Sequence, residues 1–473
     1  MSYERMPGGL GTWRARWLLA RHNGLLGALF YPLALAVVMP AVLVWGAVLA
    51  LLDIGSARLG NRGAVPVTPG RHPELYALVE QTARRLDTPM PDRVLLTAAP
   101  TVELTVFYRQ RHLLIGLPLL DCLTADELRA LLGHRLALLR YRHAGLVTGL
   151  LDLWVDAVRA ESYEEGAGLR RATELRTRLA DLAAEVQRDA DEAAVRAAGG
   201  TERAARAFAL ATIVSDEYAD YLEHAGIPEH RWWRPVEVGI SDVDEGWRQV
   251  LSHGLADSGW DADEARVLAT VHPRLSVALP TLGTEPLRPT RIADPVPVAP
   301  LTERERRRLV RRLMEIPRPR HIRWFTFADS PPGWWHRRAT RDADSVRADV
   351  ARVLGREAAD DLEVFEVVRT RPRDVLAAAM DVPVHELSAD PRDYETDQPP
   401  EALVWLIETN LLRRGWRLAH PAVRGVLIGP DGTRVDAREV ITRIERAAVP
   451  AGNADPTATK LLRSWLTPTG TQG

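Results

Sequence analysis

The sequence predicts a mainly α-helical protein with a small β component: a membrane helix, a helical domain and a smaller α+β domain, in that order. Three observations carry this. The run from Leu25 to Leu52, LLGALFYPLALAVVMPAVLVWGAVLALL, carries no charge and is long enough to span a bilayer. Over 473 residues the composition is 46% hydrophobic but only 6% aromatic, which suits helices filled with Leu, Ala and Val. A proline-rich stretch from Glu285 to Pro300, EPLRPTRIADPVPVAP, breaks the periodic segments and reads as a linker. The expected divisions are therefore 1–56 with the membrane helix, 57–285 as the first domain, 286–300 as linker, 301–450 as the second domain and 451–473 as a partly flexible tail.

The apolar run, as one helix, would be about 42 Å long and would have to tilt or fray in a hydrocarbon core of roughly 30 Å. Pro32 and Pro40 are expected to kink it. A break at Pro40 would leave two halves each too short to cross, with backbone groups unpaired in lipid, so a re-entrant hairpin ranks second. No small-residue cleavage site follows the run, which counts against a signal peptide. Arginines stand on both sides, Arg5, Arg14, Arg16 and Arg21 before and Arg58, Arg62 and Arg71, against Asp53, after, so orientation stays open. The expected location is a membrane, single-pass, the cytoplasmic membrane of a bacterium.

Charge excludes more than it suggests. The formal net charge is -2, so the whole molecule offers no attraction to nucleic acid and none is expected as a partner. Lys460 is the lone lysine, and arginine does the cationic work elsewhere. The single cysteine, Cys122, rules out an intramolecular disulfide and a cysteine-built zinc site.

Residues 111–117, RHLLIGL, read as a strand, and Thr124 with Glu127 forms a capping box that starts a helix. That helix carries LLGHRLALLRYRHAG, Leu131 to Gly145. In HExxH, two histidines four apart share a helix face and bind zinc, with a glutamate general base beside the first. Here the five positions are His134, Arg135, Leu136, Ala137 and Leu138. A lone histidine above a leucine stripe also fits an ordinary core helix.

The flanking order, RHLLIGLPLLDCLTADELRALLGHRLALLRYRHAG, resembles the HtpX and CAAX prenyl protease family of membrane zinc metallopeptidases, over roughly residues 20 to 285. The resemblance implies a zincin-like (gluzincin) helical domain. It places the third zinc ligand at Gln187 and, at Asp191, a carboxylate that holds a ligand from behind, within EVQRDADEAAVRAAGG from Glu185. It also matches VHPRLSVALPTLG, from Val271, to the family's later His-Pro motif; the arginine usual there is Ala278, and an expected Asn-Ala pair is Glu103 and Leu104. The working residues depart from the pattern. Leu138 has no lone pair, Arg135 puts a permanent cation at the base position, and Gln187 offers only a neutral carbonyl. The metal positions His134, Leu138 and Gln187, with Asp191 behind them, therefore read as vestigial, and a hydrogen bond from His134 to Asp191 is expected. Tyr141 is expected on the His134 face, His143 on the opposite one, and Glu185 pointing elsewhere.

Three functional readings follow. The leading one is a catalytically inactive pseudopeptidase with no cofactor and no catalytic residue, retained as a protein-binding or scaffolding module. The second is an active zinc endopeptidase acting on membrane-proximal proteins through non-standard ligands. The third makes the helical domain a platform for the C-terminal one.

In the second domain, TERERRRLVRRLMEI is a basic helix with a Thr302/Glu305 capping box, suited to anionic lipid or to a plain solvated face. SVRADVARVLG and PEALVWLIETNLLRRGW read as helices, DLEVFEVVR and RGVLIG as strands, and Pro430-Asp431-Gly432 as a hairpin turn into TRVDA. Trp232, Trp233, Trp247, Trp260, Trp334, Trp335, Trp405 and Trp416 are expected in the cores.

Overall fold

The computed structural model describes residues 63–466, apart from 108–109, 164–165, 226–237, 254–261, 280–286, 314–321, 381–382, 385–400, 448–455 and the single positions 273, 277 and 331. The expected membrane segment, and Trp232, Trp233 and Trp260, lie outside the described residues. Among the described residues, no helix is long and apolar enough to cross a membrane. The chain is mainly helical with small sheets, and it forms two compact units that divide between Trp324 and Phe325.

The first unit holds β1 (Val65–Pro66), α1 (Pro73–Arg85), β2 (Arg93–Thr97), β3 (Val102–Phe107), β4 (Gln110–Gly116) and the single turn α2 (Leu117–Leu120). These strands form one sheet in the order β1-β2-β4-β3, with β2 and β4 parallel and the outer pairs antiparallel. The parallel pair is buried, as Leu96, Leu113 and Ile115 show, and β3 is the sheet's edge. Helix α3 (Ala125–Ala137) starts at the expected capping box: the Glu127 amide donates to Thr124 Oγ1 (3.3 Å) and the Thr124 amide to Glu127 Oε2 (2.8 Å). It stops sooner than the sequence suggests. Residues Leu138–Arg140 tighten into a 3-10 turn and Tyr141 is extended, before α4 (Ala144–Tyr163) begins.

Helices α5 (Gly166–Ala198) and α6 (Thr201–His224) pack on α3. Gly133 permits this approach, because a Cβ there would sit 2.6 Å from Ala197 Cβ and 3.0 Å from Ala193 O. Short strand β5 (Val238–Ile240), α7 (Val243–His253) and α8 (Ala262–Val271) follow, and Trp247 is fully buried, with Nε1 donating to Pro118 O (3.3 Å).

The proline-rich stretch is not a free linker. Ile292 N donates to Asp121 O (3.2 Å), Ala299 N donates to His72 Nδ1 (3.1 Å), and Leu287 is buried. The basic helix α9 (Glu303–Leu313), expected in the second domain, also belongs to the first unit. Leu309 and Val310 are buried, Arg306 pairs with Asp244 (3.4 Å), Arg307 with Glu303 (2.7 Å), and Arg71 grips Glu305 with both terminal guanidinium nitrogens. The first unit ends within the short strand β6 (Arg323–Phe325), the partner of β5.

The second unit contains α10 (Pro332–Leu354), α11 (Asp361–Thr370), α12 (Pro372–Met380), α13 (Glu401–Arg413), β7 (Arg417–His420), β8 (Val423–Ile428), β9 (Arg434–Asp436), α14 (Ala437–Ala447) and α15 (Pro456–Leu466). The hairpin forms as expected: Gly432 has a φ of 83°, Gly429 N donates to Thr433 O (2.8 Å), and β8 pairs antiparallel with β9. DLEVFEVVR is a helix rather than a strand. Asp360 caps it by accepting from Glu363 N (2.8 Å), and Val364, Phe365, Val367 and Val368 enter the core on one helical face, so packing overrides a β-branched composition. The tail is likewise ordered where described: α15 buries Ala458, Leu462, Trp465 and Leu466 in the same core. Trp405 and Trp416 pack against that core, while Trp334 and Trp335 are only partly buried.

Candidate functional site

Capped at Thr124 and held close to α5 by Gly133, α3 delivers His134 to the interior. Gln187 and Asp191 stand one turn apart on α5 and so share a face that meets it. His272 follows the last residue of α8, its amide donating to Leu268 O (2.7 Å). All four side chains are buried. Phe208 of α6 closes the group, its ring centroid 5.2 Å from that of His134 and 4.1 Å from that of His272.

The Gln187 amide nitrogen lies 3.0 Å from His134 Nε2, 2.6 Å from His272 Nδ1 and 3.3 Å from Asp191 Oδ1. His272 Nδ1 is 2.8 Å from Asp191 Oδ1, and Asp191 Oδ2 accepts from Arg274 N (3.3 Å). Burial, with His272 and Arg135 nearby, holds the His134 imidazole neutral, its pKa well below the ordinary histidine value. One atom is orphaned: Gln187 Oε1 is buried with no partner. Such an atom costs roughly 1–3 kcal/mol.

The structure differs from the sequence reading at several of these residues. His134 Nε2 is 3.7 Å from Asp191 Oδ1, too far for the expected hydrogen bond, because Asp191 turns to His272 instead. Tyr141 does not share the His134 face, since the helix has already ended; its hydroxyl donates to Asp189 Oδ2 (2.9 Å). Burial, with that bond, pushes the Tyr141 phenol well up. His143 and Glu185 are half-buried and outside the group. Leu138 is fully buried in the 3-10 turn, so the positions His134, Leu138 and Gln187 do not form a zinc ligand set.

Arg135 is held in place. Its Nε donates to Val102 O (3.0 Å) and Nη1 pairs with Asp152 Oδ1 (3.1 Å). It lines a cleft of about 570 Å³ together with His134, Gln187, Glu103, Asp156 and Asp216. Glu103 points to solvent on β3 and Leu104 is buried; Ala278 lies in the turn after His272, its amide donating to Leu275 O (2.9 Å).

His272 is the residue that reading by motif missed. Its His-Pro pair served as a landmark in the sequence without receiving a role, and nothing local shows that it returns to His134. Compared with family models, with curated proteins and with solved structures, the chain matches none.

Proposed function

We propose that the first unit is a zincin-like, HtpX-type domain that does not hydrolyse peptides and serves as a protein-binding module, tethered to a membrane by the apolar run at Leu25 to Leu52. The observation that carries it is Arg135. A general base must reach the attacking water, and the position that would supply it holds a cation locked between Val102 O and Asp152.

The edge of the sheet supports the same reading. Thr101 O accepts from Gly116 N on the β4 side, so by alternation the backbone groups of Val102, Leu104 and Val106 face outward. Arg135 occupies the first of these carbonyls, and Gly145 of α4 sits against Val106 O at the far end. An extended peptide laid along β3 would find its first and last rungs taken. The cleft beside it carries Glu103, Asp152, Asp156 and Asp216, and among its described lining residues Arg135 is the one arginine or lysine, a balance that suits a basic protein segment.

The test uses the full chain in detergent with zinc added and unstructured proteins as substrate. No cleavage is expected, and cross-linking in membranes should trap a protein partner whose yield falls in Asp156→Arg/Asp216→Arg. Chelator-sensitive cleavage that disappears in His134→Ala would establish the endopeptidase instead.

A further inference from the structure

The four buried side chains form the vertices of an irregular tetrahedron. Five of its edges are the 2.6, 2.8, 3.0, 3.3 and 3.7 Å separations among His134 Nε2, His272 Nδ1, Asp191 Oδ1 and the Gln187 amide nitrogen. His134, Asp191 and His272 each offer a donor atom, all within 4.8 Å of one another. Four ligands around zinc at roughly 2.1 Å would be separated by about 3.4 Å, which falls inside this range.

The hydrogen bonding by itself is inconsistent. If His272 Nδ1 carries the proton it gives to Asp191, it cannot accept from the Gln187 amide 2.6 Å away. Rotating the amide by half a turn puts Oε1 at that vertex, but then carbonyl and carboxylate oxygens face each other and the nitrogen becomes the orphan. A cation removes the proton conflict and the facing of the two oxygens, since it takes lone pairs from two imidazoles, a carboxylate and a carbonyl at once, while the Gln187 amide nitrogen turns to the position that Oε1 holds in the structure.

We infer that His134 Nε2, His272 Nδ1, Asp191 Oδ1 and Gln187 Oε1 together form a closed zinc site that joins α3, α5 and the end of α8. It is not the ligand set of the resembled family, because Leu138 has no part in it and His272 and Asp191 take its place. The donors are nitrogen and oxygen only; Cys122, the single cysteine, is buried elsewhere with its thiol toward Pro118 O (3.0 Å). Asp191 is held from behind by the Arg274 amide, as an outer-shell partner would hold it. With all four vertices taken by protein there is none left for water, so the metal is structural. The site thus goes beyond the reading of an inactive domain without depending on it.

The experiment strips the full chain with chelator, titrates it with Zn²⁺ by calorimetry, and measures metal after gel filtration. One tightly held zinc per chain and a raised melting temperature are expected. Cobalt(II) should give the intense visible bands of a four-coordinate site without a thiolate band. His272→Ala and Asp191→Ala should each weaken binding by roughly 100-fold or more, and Gln187→Glu should tighten it by about tenfold. Leu138→Ala should leave it unchanged. A folded chain that retains no zinc, or one whose His272→Ala variant keeps parental affinity, overturns the site. If His272→Ala does not fold, the parent decides: a weak six-coordinate cobalt spectrum, or an affinity indifferent to Gln187→Glu, overturns it equally. Zinc-dependent peptide cleavage would instead sink the proposed function and the structural role of the metal, while the four ligands would still be judged by the affinities above.

Discussion

Two polar clusters, one buried in the first unit and one half-buried in the second, are built in opposite ways. In the second unit Arg347 of α10 grips Asp361 of α11 with two bonds (2.6 and 2.8 Å), and Asn410 of α13 donates both to Asp361 Oδ2 (2.7 Å) and to Leu406 O (2.9 Å). Burial alone would raise the Asp361 pKa; the bonds from Arg347 and Asn410 outweigh it and hold the carboxyl below its ordinary value. Among the described residues, no atom of this trio is left buried without a partner. The cluster around His134 also joins three helices, yet it ends with an orphaned Gln187 oxygen and two donors in conflict. A complete cluster holds a fold together; in the incomplete one the unsatisfied lone pairs are those the proposed cation would take.

That contrast can be broken by mutation. The largest effect is expected from Asp361→Ala, which takes from the partly buried Arg347 one of its two carboxylate partners, leaving Asp344, and from Asn410 an acceptor: denaturant unfolding of the second unit should lose about 2–3 kcal/mol. An unchanged midpoint would show that the complete cluster contributes nothing. Leu138→His comes next. It inserts a polar ring where the chain is fully buried, so it should lower stability by roughly 2 kcal/mol and add no zinc affinity. Tighter zinc binding in that variant would restore the HExxH geometry to this helix.

A matched pair sharpens the comparison further. Asn410→Leu should destabilise by about 1–2 kcal/mol because it strips a working donor, whereas Gln187→Leu in metal-free protein should be within about 1 kcal/mol of neutral because it also removes an orphan. Equal losses at the two positions would mean that Gln187 is as well satisfied as Asn410. The smallest effect belongs to the Arg71–Glu305 pair near the surface of the first unit. The Arg71 bond lowers the Glu305 pKa to about 2, from 4.5. Its contribution is therefore complete above pH 4.5 and fades as pH falls toward 2. Glu305→Gln should therefore lower stability at neutral pH by about 1 kcal/mol or less, flatten the acid-unfolding slope between pH 4.5 and 2, and leave stability nearly unchanged below pH 2.

Much of the fold could be read from short stretches. The Thr124 and Thr302 capping boxes, the β4 strand and the Asp431-Gly432 turn each depend on residues within about five positions, and each forms. DLEVFEVVR misled because valine content argues for a strand while the burial of Val364, Phe365 and Val368 is decided by the helices around them. The proline-rich stretch misled for a similar reason: its composition says linker, but its backbone finds Asp121 and His72 to bond.

By itself the sequence determined what the site around His134 lacks. A leucine has no lone pair to give a metal and an arginine carries a permanent cation, whatever surrounds them, so side-chain identity alone keeps Leu138 from being a ligand and Arg135 from being a general base. What the site has was decided by tertiary structure. His272 stands 85 residues beyond Gln187, and only the packing of α3, α5 and α8 brings their polar ends within 2.6 Å. Periodicity and caps are set by neighbours along the chain, whereas the convergence of donors on one point is set by helix contacts that no local pattern encodes.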